Sequence, residues 1–332
     1  MDRTRRRLLS EQLPQEKAYW LNKLAGDLTR SGIPLDLKRA DVLSQEKKTI
    51  AFDLDAQSVR KLIKATNQNE LLIFTILVTV LKICLSKYNG VEDVIVGTAV
   101  HKRHKEDGLL NKVLVLRDQV SGEATFRELL RDVKETIYEA FSHQKFPFET
   151  ILELLHVPVP ENRTPLFNVL VLLDNIHESI SDLKNDVTVV FSIKDGHFKG
   201  SIEYNSTLFK EKTLYSFARH FNNVLRTVIA NPDQKISAIE LLSPEEKQEL
   251  IFGFNNTDRD YPSQQPIHQL FEMQVERTPE KIALVSGDES LNYRELNERA
   301  NQLAHYLREL GVGPEVLVGM VSGQFSANNP TV

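Results

Sequence analysis

Cysteine is almost absent from this 332-residue chain, in which Cys84 is the only one. A disulfide within the chain is therefore excluded, and such low cysteine usage is typical of a reducing compartment. Excess basic charge is also lacking, because 41 Lys and Arg stand against 46 Asp and Glu and give a net charge of −5. The composition therefore offers no sign of a nucleic-acid or anionic-membrane partner.

Long hydrophobic segments are missing as well. The longest apolar run, LLIFTILVTVLKICL (71–85), carries Lys82 and is shorter than the ~20 residues that a membrane-spanning helix needs. It predicts a buried helix, in which Cys84 is a structural thiol rather than a nucleophile. The basic start, MDRTRRRLLSEQ, has no apolar core of a signal peptide. We expect a cytoplasmic protein.

What the chain does contain is an alternation of helix and strand patterns. Apolar spacing predicts helices at 14–26, 56–66, 71–87, 125–144 and 210–232. Short apolar runs predict strands near 49–54, 93–99, 113–117, 166–173, 187–193 and 198–204. The first helix is expected to contact the core through Tyr19, Leu21 and Leu24. We predict one α/β lobe with a single sheet over residues 14–242, after a flexible basic tail at 1–13.

The composition changes after residue 242. Residues 243–266 begin with a helix signal and then collect Asn, Asp, Ser, Gln and Pro, which is typical of an interdomain linker. Residues 267–320 have the pattern helix, strand, short strand, helix, strand, and predict the start of a second α/β domain. Residues 321–332 are a polar tail. With only about 55 residues, this second domain is too short to bury a normal core.

The stretch HKRHKEDG (101–108) holds two histidines, an aspartate and a glycine directly after a predicted strand. A metal or acid–base site would need further ligands that converge on it. We interpret the stretch as a charged surface loop, in which His104 and Asp107 are exposed and dispensable.

Several motifs, in order along the chain, resemble a nonribosomal peptide synthetase. HQKFPFE (143–149) resembles the HQ-x-x-PFE motif of the condensation domain, RTPLFNVLV (163–171) its R-x-PLF strand, and IEYNSTLF (202–209) its ieYntdLF segment. LNYREL (291–296) resembles the first core motif of the adenylation domain. The resemblance implies a chloramphenicol-acetyltransferase-like, two-layer α/β lobe, the C-terminal half of a condensation domain, followed by the truncated start of an AMP-binding domain.

In that family the catalytic histidine lies in an HH-x-x-x-DG motif in the preceding half of the domain, and this chain has no adjacent histidine pair. We therefore expect no catalytic residue, bound cofactor or metal in this chain. The family uses phosphopantetheine on carrier domains, and ATP with Mg²⁺ in the complete adenylation domain. The implied partners are peptidyl or aminoacyl carrier domains and a separate donor lobe, with no nucleic acid and no membrane.

The resemblance also indicates individual residues with a role in the substrate tunnel or in the structure. His143 and Gln144 are predicted to end a helix, with either a structural role or a position near the substrate tunnel. Pro147, Phe148 and Glu149 are predicted to form a turn with a packed aromatic ring.

Three further positions follow from the same resemblance. Asn168 alternates with apolar neighbours and is a candidate for facing the tunnel, and Asp186 is expected to hydrogen-bond between lobes. Lys112 stands where the family has an asparagine, unless the preceding loop is one residue short.

In the adenylation motif, Leu291, Tyr293, Glu295 and Leu296 are expected to be structural.

Three hypotheses for the function stay open. The chain is a synthetase fragment with an acceptor lobe, a noncatalytic module that docks a carrier or completes a donor lobe, or an independent acyltransferase with a rearranged site.

Overall fold

The structure is a computed structural model that describes residues 13–39, 46–101, 111–180, 183–194, 197–259 and 265–319. Two compact units follow each other along the chain, Met1–Asn255 and Asn256–Val332. The loop residues His104 and Asp107 lie outside the described residues.

The first unit alternates helices and strands, as its sequence pattern predicts. Its helices are α1 Pro14–Lys23, α2 Ala56–Thr66, α3 Glu70–Asn89, α4 Phe126–Ser142, α5 Phe148–Leu154, α6 Glu211–Ala230 and α7 Pro244–Gln248. Its strands are β1 Lys47–Asp53, β2 Asp93–Ala99, β3 Val113–Gln119, β4 Val169–Leu173, β5 Val187–Lys194 and β6 His197–Asn205.

These six strands form one sheet in the order β1-β6-β5-β4-β2-β3. Strand β4 pairs in parallel with β2 and with β5, and the other neighbouring pairs are antiparallel. The prediction of a single sheet from these strands is confirmed.

Helix α3 lies at the centre of the first unit, packed on β2 and between α4 and α6. It begins where the Asn69 side chain accepts a hydrogen bond from the Leu72 amide and ends at Gly90, whose φ of 65° is left-handed. By length and composition α3 is apolar enough to cross a membrane, but 67% of its apolar stretch is buried within the protein. Its apolar sequence is therefore that of a core helix, as predicted.

The first helix contacts the core differently from the prediction. Trp20 and Leu24 are each only 1% exposed, Tyr19 packs half-buried against the core, and Leu21 is not part of it. The expectation for Leu21 was wrong, because the largest apolar side chain of the helix, Trp20, takes the buried position instead.

Close packing joins β2 to the segment before β4. A Cβ on Gly97 would lie 2.3 Å from the ring of Phe167, so the missing side chain leaves the space that this ring fills. Phe167 is completely buried. The strand that precedes the HKRHKEDG stretch and the RTPLFNVLV segment are thus locked together.

Helix α7, in the predicted linker, is held on the first unit. Ser243 and Glu246 form a capping box, and Arg219 Nη2 of α6 lies 2.5 Å from Glu246 Oε1. His220 Nε2 lies 3.4 Å from Glu246 Oε2, and Nδ1 of the same ring is 2.5 Å from the Tyr88 hydroxyl. A π-helical turn, Glu249–Gly253, follows.

The second unit contains α8 Ile267–Arg277, a hairpin of β7 Ile282–Ser286 and β8 Glu289–Asn292, and α9 Tyr293–Glu309. The predicted final strand is absent from the described residues that follow α9, where 316–319 have no regular structure. None of residues 265–319 is buried. The described residues of this unit therefore share no buried core.

Candidate functional site

The HQ-x-x-PFE segment (143–149) connects α4 to α5 and is fixed by one buried side chain, Asn111. The Asn111 Nδ2 group donates to the carbonyl oxygens of Gln144, at 2.8 Å, and of Phe146. Its Oδ1 accepts from the Phe148 amide at 2.7 Å. Because Asn111 is only 5% exposed, these bonds are shielded from water and determine the path of the segment.

His143 follows the last residue of α4 and is held from two sides by α1. The Tyr19 ring stacks on the imidazole at 4.2 Å between centroids, and Trp20 Nε1 donates to the His143 carbonyl oxygen at 2.9 Å. His143 Nδ1 lies 2.9 Å from the Glu139 carbonyl oxygen and carries a proton there, because a carbonyl only accepts. This arrangement orients the ring toward its own helix.

The remaining residues of the motif divide between core and surface. Gln144 and Pro147 are buried, Phe148 is half-buried with its ring 6.4 Å from that of Phe167, and Glu149 is exposed. The prediction of a turn at Pro147, Phe148 and Glu149 was wrong in part, because Pro147 is the N-cap of the short helix α5. Proline has no amide hydrogen to satisfy and is well tolerated at a helix start.

Asn168 and Asp186 come together where β4 and β5 begin. The Asn168 carbonyl oxygen accepts from the amides of Asp186, at 3.0 Å, and Val187, at 3.2 Å. The Asn168 side chain lies against Gly32, where an added Cβ would be 3.2 Å from Nδ2. Asp186 forms an ion pair with Arg39 at 2.6 Å, within this chain.

A second buried polar cluster lies beneath β3. Lys82 of α3 is completely buried, ion-pairs with Asp118 at 2.7 Å and donates to the Leu116 carbonyl oxygen at 2.7 Å. Burial lowers the pKa of Lys82, and the Asp118 carboxylate opposes that shift. Asp118 also accepts from the Thr136 hydroxyl, to which Lys23 donates at 2.7 Å. Within the described part of the chain, no group of three or more His, Cys, Asp or Glu side chains is arranged to hold a metal ion.

With this geometry established, comparison with known proteins identifies the family. Residues 1–251 match the family model of the condensation domain, and residues 271–325 match that of the AMP-binding enzymes. The chain belongs to the condensation-domain family. The order of its two matches, condensation domain and then the start of an AMP-binding domain, is that of a nonribosomal peptide synthetase.

This condensation-family chain is 35% identical to tyrocidine synthase 2 of Brevibacillus parabrevis and 34% identical to gramicidin S synthase 2 of Aneurinibacillus migulanus. The matches cover 94% and 95% of this chain but only 9% and 8% of the two relatives. The chain therefore spans less than a tenth of the length of these synthetases.

Solved structures agree on the fold. A four-domain nonribosomal peptide synthetase bound to AMP and glycine has a TM-score of 0.70 at 20% identity, over 90% of this chain and 25% of that one. The X-domain of teicoplanin biosynthesis, in complex with OxyB, has a TM-score of 0.62 at 24% identity, over 71% of this chain and 58% of that one. The predicted fold class is confirmed.

Within the condensation-domain match, Asn111 is a residue that the sequence motifs do not single out. Lys112, which stands where the family has an asparagine, is exposed. The adjacent Asn111 makes the hydrogen bonds to the motif. Lys82 is the one charge in the apolar run 71–85, and such an isolated charge signals a buried partner.

The LNYREL segment (291–296) lies within the AMP-binding match and spans the end of β8 and the start of α9. Glu295 and Asn292 form a capping box at the start of α9, with hydrogen bonds of 2.8 and 3.0 Å. The Tyr293 ring lies 6.1 Å from that of Phe271, and Leu291 pairs with Leu284 across the hairpin. Leu296 is half-buried on α9.

Proposed function

We propose that residues 14–242 are the acceptor-side lobe of a condensation domain, and that amide formation requires a second lobe that carries the HH-x-x-x-DG histidine. One observation carries the proposal. The HQ-x-x-PFE and R-x-PLF segments are both present, and Asn111 and Phe167 hold them in defined positions within a complete sheet. The residues of this chain form a wall of the reaction site, while the proton-accepting group comes from the other lobe.

The reaction joins two acyl groups that are tethered by thioesters to phosphopantetheine arms of carrier domains. The amine of one attacks the thioester carbon of the other, so that a C–N bond forms and the C–S bond breaks. The amine proton passes to the base, and the departing thiolate takes up a proton. Most of the rate enhancement assigned to this lobe is positional, because it holds one tethered reactant against the other.

The adenylation part is proposed to bind no nucleotide by itself. Asn292 and Glu295 use their side chains to cap α9, and Leu291 and Leu296 are apolar. These residues do not fit ATP or its Mg²⁺, so no step of the reaction is assigned to them. We propose 243–266 as the linker and 267–320 as the start of the adenylation domain.

The partners that follow from this proposal are peptidyl or aminoacyl carrier domains and a donor lobe, in the cytoplasm. Asp186 is already paired with Arg39, so any bond that it makes to the other lobe is additional to that ion pair. Tunnel positions for His143, Gln144 and Asn168 stay predictions.

The test is dipeptidyl-carrier formation, followed by mass spectrometry, with two loaded carriers. We expect no product from this chain alone and product when a donor lobe with its histidine pair is added. Product from the chain alone would contradict the proposal. Carrier binding without product, even with the donor lobe, would favour a noncatalytic docking module.

A further inference from the structure

A cavity opens where β1 and β6 cease to run side by side. The two strands pair as far as Asp53, which lies opposite Lys199, whereas β6 begins two residues earlier, at His197, and pairs there with β5. After Asp53 the chain turns through Leu54 into α2. Because β1 ends short of the beginning of β6, a space is left between this part of β6 and the first turns of α2.

This space has a volume of about 390 Å³, which is large enough for a small organic ligand. We call it the α2–β6 cavity. It lies at the β1 edge of the sheet, whereas Asn111, which fixes the HQ-x-x-PFE segment, precedes β3 at the other edge. The cavity is therefore separate from that segment.

The interior of the α2–β6 cavity is apolar. Its walls include Leu54 and Val59, each 6% exposed, and Phe198, which is 5% exposed. At the neighbouring position on the same face of β6 the space is filled, because a Cβ on Gly200 would lie 2.2 Å from the Phe52 ring. Phe198 lies beyond the end of β1 and borders the cavity instead. Such a surface binds the apolar body of a ligand, because contact with it removes apolar area from water.

Charged side chains surround the opening of the cavity. Arg60 of α2 and Lys199 of β6 line it and are exposed. Lys47, on the same edge of the sheet, is paired with Glu203, whereas neither Arg60 nor Lys199 forms an ion pair with a residue that the structure describes. Both cations are therefore available to an anionic group at the opening. Asp53 lines the same opening and repels a second negative charge.

We propose that the α2–β6 cavity binds a small monocarboxylate with an apolar body, which lies inside the cavity while the carboxylate contacts Arg60 and Lys199. The planar guanidinium fork of Arg60 matches the two oxygens of a carboxylate. Asp53 disfavours a dianion such as a phosphate monoester at the same place. This site goes beyond the proposed condensation function and does not depend on it.

The probe for the cavity is octanoate, titrated into the full chain at neutral pH, and the readout is the NMR signals of the Leu54 and Val59 methyl groups. We expect both to shift, while those of Leu116, buried on β3 at the other edge of the sheet, stay in place. Each methylene removed from the chain should weaken binding by about twofold to fourfold, because less apolar area is buried. Octanoate binding that leaves the Leu54 and Val59 signals unchanged would overturn the site.

The role of the carboxylate is tested with matched variants and a matched ligand. Arg60→Gln should weaken octanoate binding by about fivefold, the effect of losing one exposed charge pair, and should leave the affinity for uncharged octanol unchanged. Lys64→Gln removes the same charge from an exposed position one turn further along α2 and should bind octanoate like the parent. Equal weakening in the two variants, or an octanol affinity as high as that of octanoate, would contradict the carboxylate assignment.

The cavity itself is tested by filling it. Ala56 also lines the cavity, and the larger side chain of Ala56→Leu should abolish the binding of both octanoate and octanol. Unchanged octanoate binding in a folded Ala56→Leu variant would overturn the proposal. The Arg60→Gln comparison and the chain-length series decide the proposal independently of whether Ala56→Leu folds. A failed dipeptide assay would leave all of these binding measurements unaffected.

Discussion

Helices in the two units of the chain begin with the same capping motif but differ in how far they are buried. Helix α4 begins with a capping box of Thr125 and Glu128, and α9 begins with one of Asn292 and Glu295. Yet α4 buries an apolar face that includes Val133, whereas no residue of 265–319 is buried. Caps and periodicity define where a helix lies, but only a shared core makes it resistant to opening.

The greatest loss of stability is expected from a change in the buried core of the first unit, which has no counterpart in residues 265–319. Lys82→Ala leaves the buried Asp118 carboxylate uncompensated, and we expect a loss of about 3–5 kcal/mol in the free energy of unfolding, measured in urea. Lys64→Ala removes the same charge from an exposed position on α2 and should change stability by less than about 0.5 kcal/mol. A Lys82 variant as stable as that control would show that the ion pair is not a core requirement.

The next effect tests how the HQ-x-x-PFE segment is held. Asn111→Ala removes hydrogen bonds to Gln144, Phe146 and Phe148, leaves their buried backbone groups unpaired, and should cost about 2–3 kcal/mol. The neighbouring Lys112→Ala, at an exposed position, should cost less than about 0.5 kcal/mol. Equal losses in the two variants, measured by urea unfolding, would show that the hydrogen bonds of Asn111 do not hold the segment.

Matched substitutions in the two capping boxes test how far burial supports each helix. Asn292→Ala and Thr125→Ala each remove about 1 kcal/mol of capping free energy. We expect Asn292→Ala to abolish amide-exchange protection in α9, because no residue of that helix is buried. In Thr125→Ala the protection of α4 should decrease only with global stability. Similar loss of local protection in both helices would mean that the core does not distinguish the units.

The smallest effect is a pH-dependent change in stability that arises at the contact between α7 and α6. Burial lowers the pKa of His220 below its usual value near 6.5, with Glu246 opposing the shift and Arg219 adding to it. At pH values near the pKa of His220, the unfolded chain therefore binds more protons than the folded one. The contribution of neutral His220 to the free energy of unfolding is complete above about pH 6.5 and is lost as the pH falls below it. Wild type should lose more stability than His220→Asn between pH 7 and pH 5. His268→Asn, at an exposed position, should lose as much stability as wild type between pH 7 and pH 5. The same loss in His220→Asn would show that His220 does not link stability to pH.

Much of the first unit was predictable because strand and helix periodicity agreed with burial along the whole segment. The strand near 93–99, for example, is β2 Asp93–Ala99. The incorrect predictions share one physical cause, which is that tertiary contacts decided these positions. Nothing local indicates that Trp20 rather than Leu21 turns inward, and the start of α5 depends on Asn111, 37 residues before Phe148.

The candidate site was predictable as a set of motifs but not as a set of contacts. HQKFPFE identified the segment, while the stacking of Tyr19 on His143 joins positions far apart in sequence. Pairings such as Arg39 with Asp186 are likewise long-range and leave no periodic signal. The final strand expected after α9 is absent from residues 316–319, which pair with neither β7 nor β8.

The attachment of α7 bears on where this synthetase segment can be cut and rejoined. A gene fusion made at residue 242 would discard Glu246, and with it the partner of Arg219 and His220 on α6. A junction after Asn255 would carry the whole attachment with the condensation lobe. Chimeras that exchange the adenylation module should therefore express better with the downstream junction, although the upstream one matches the change in composition.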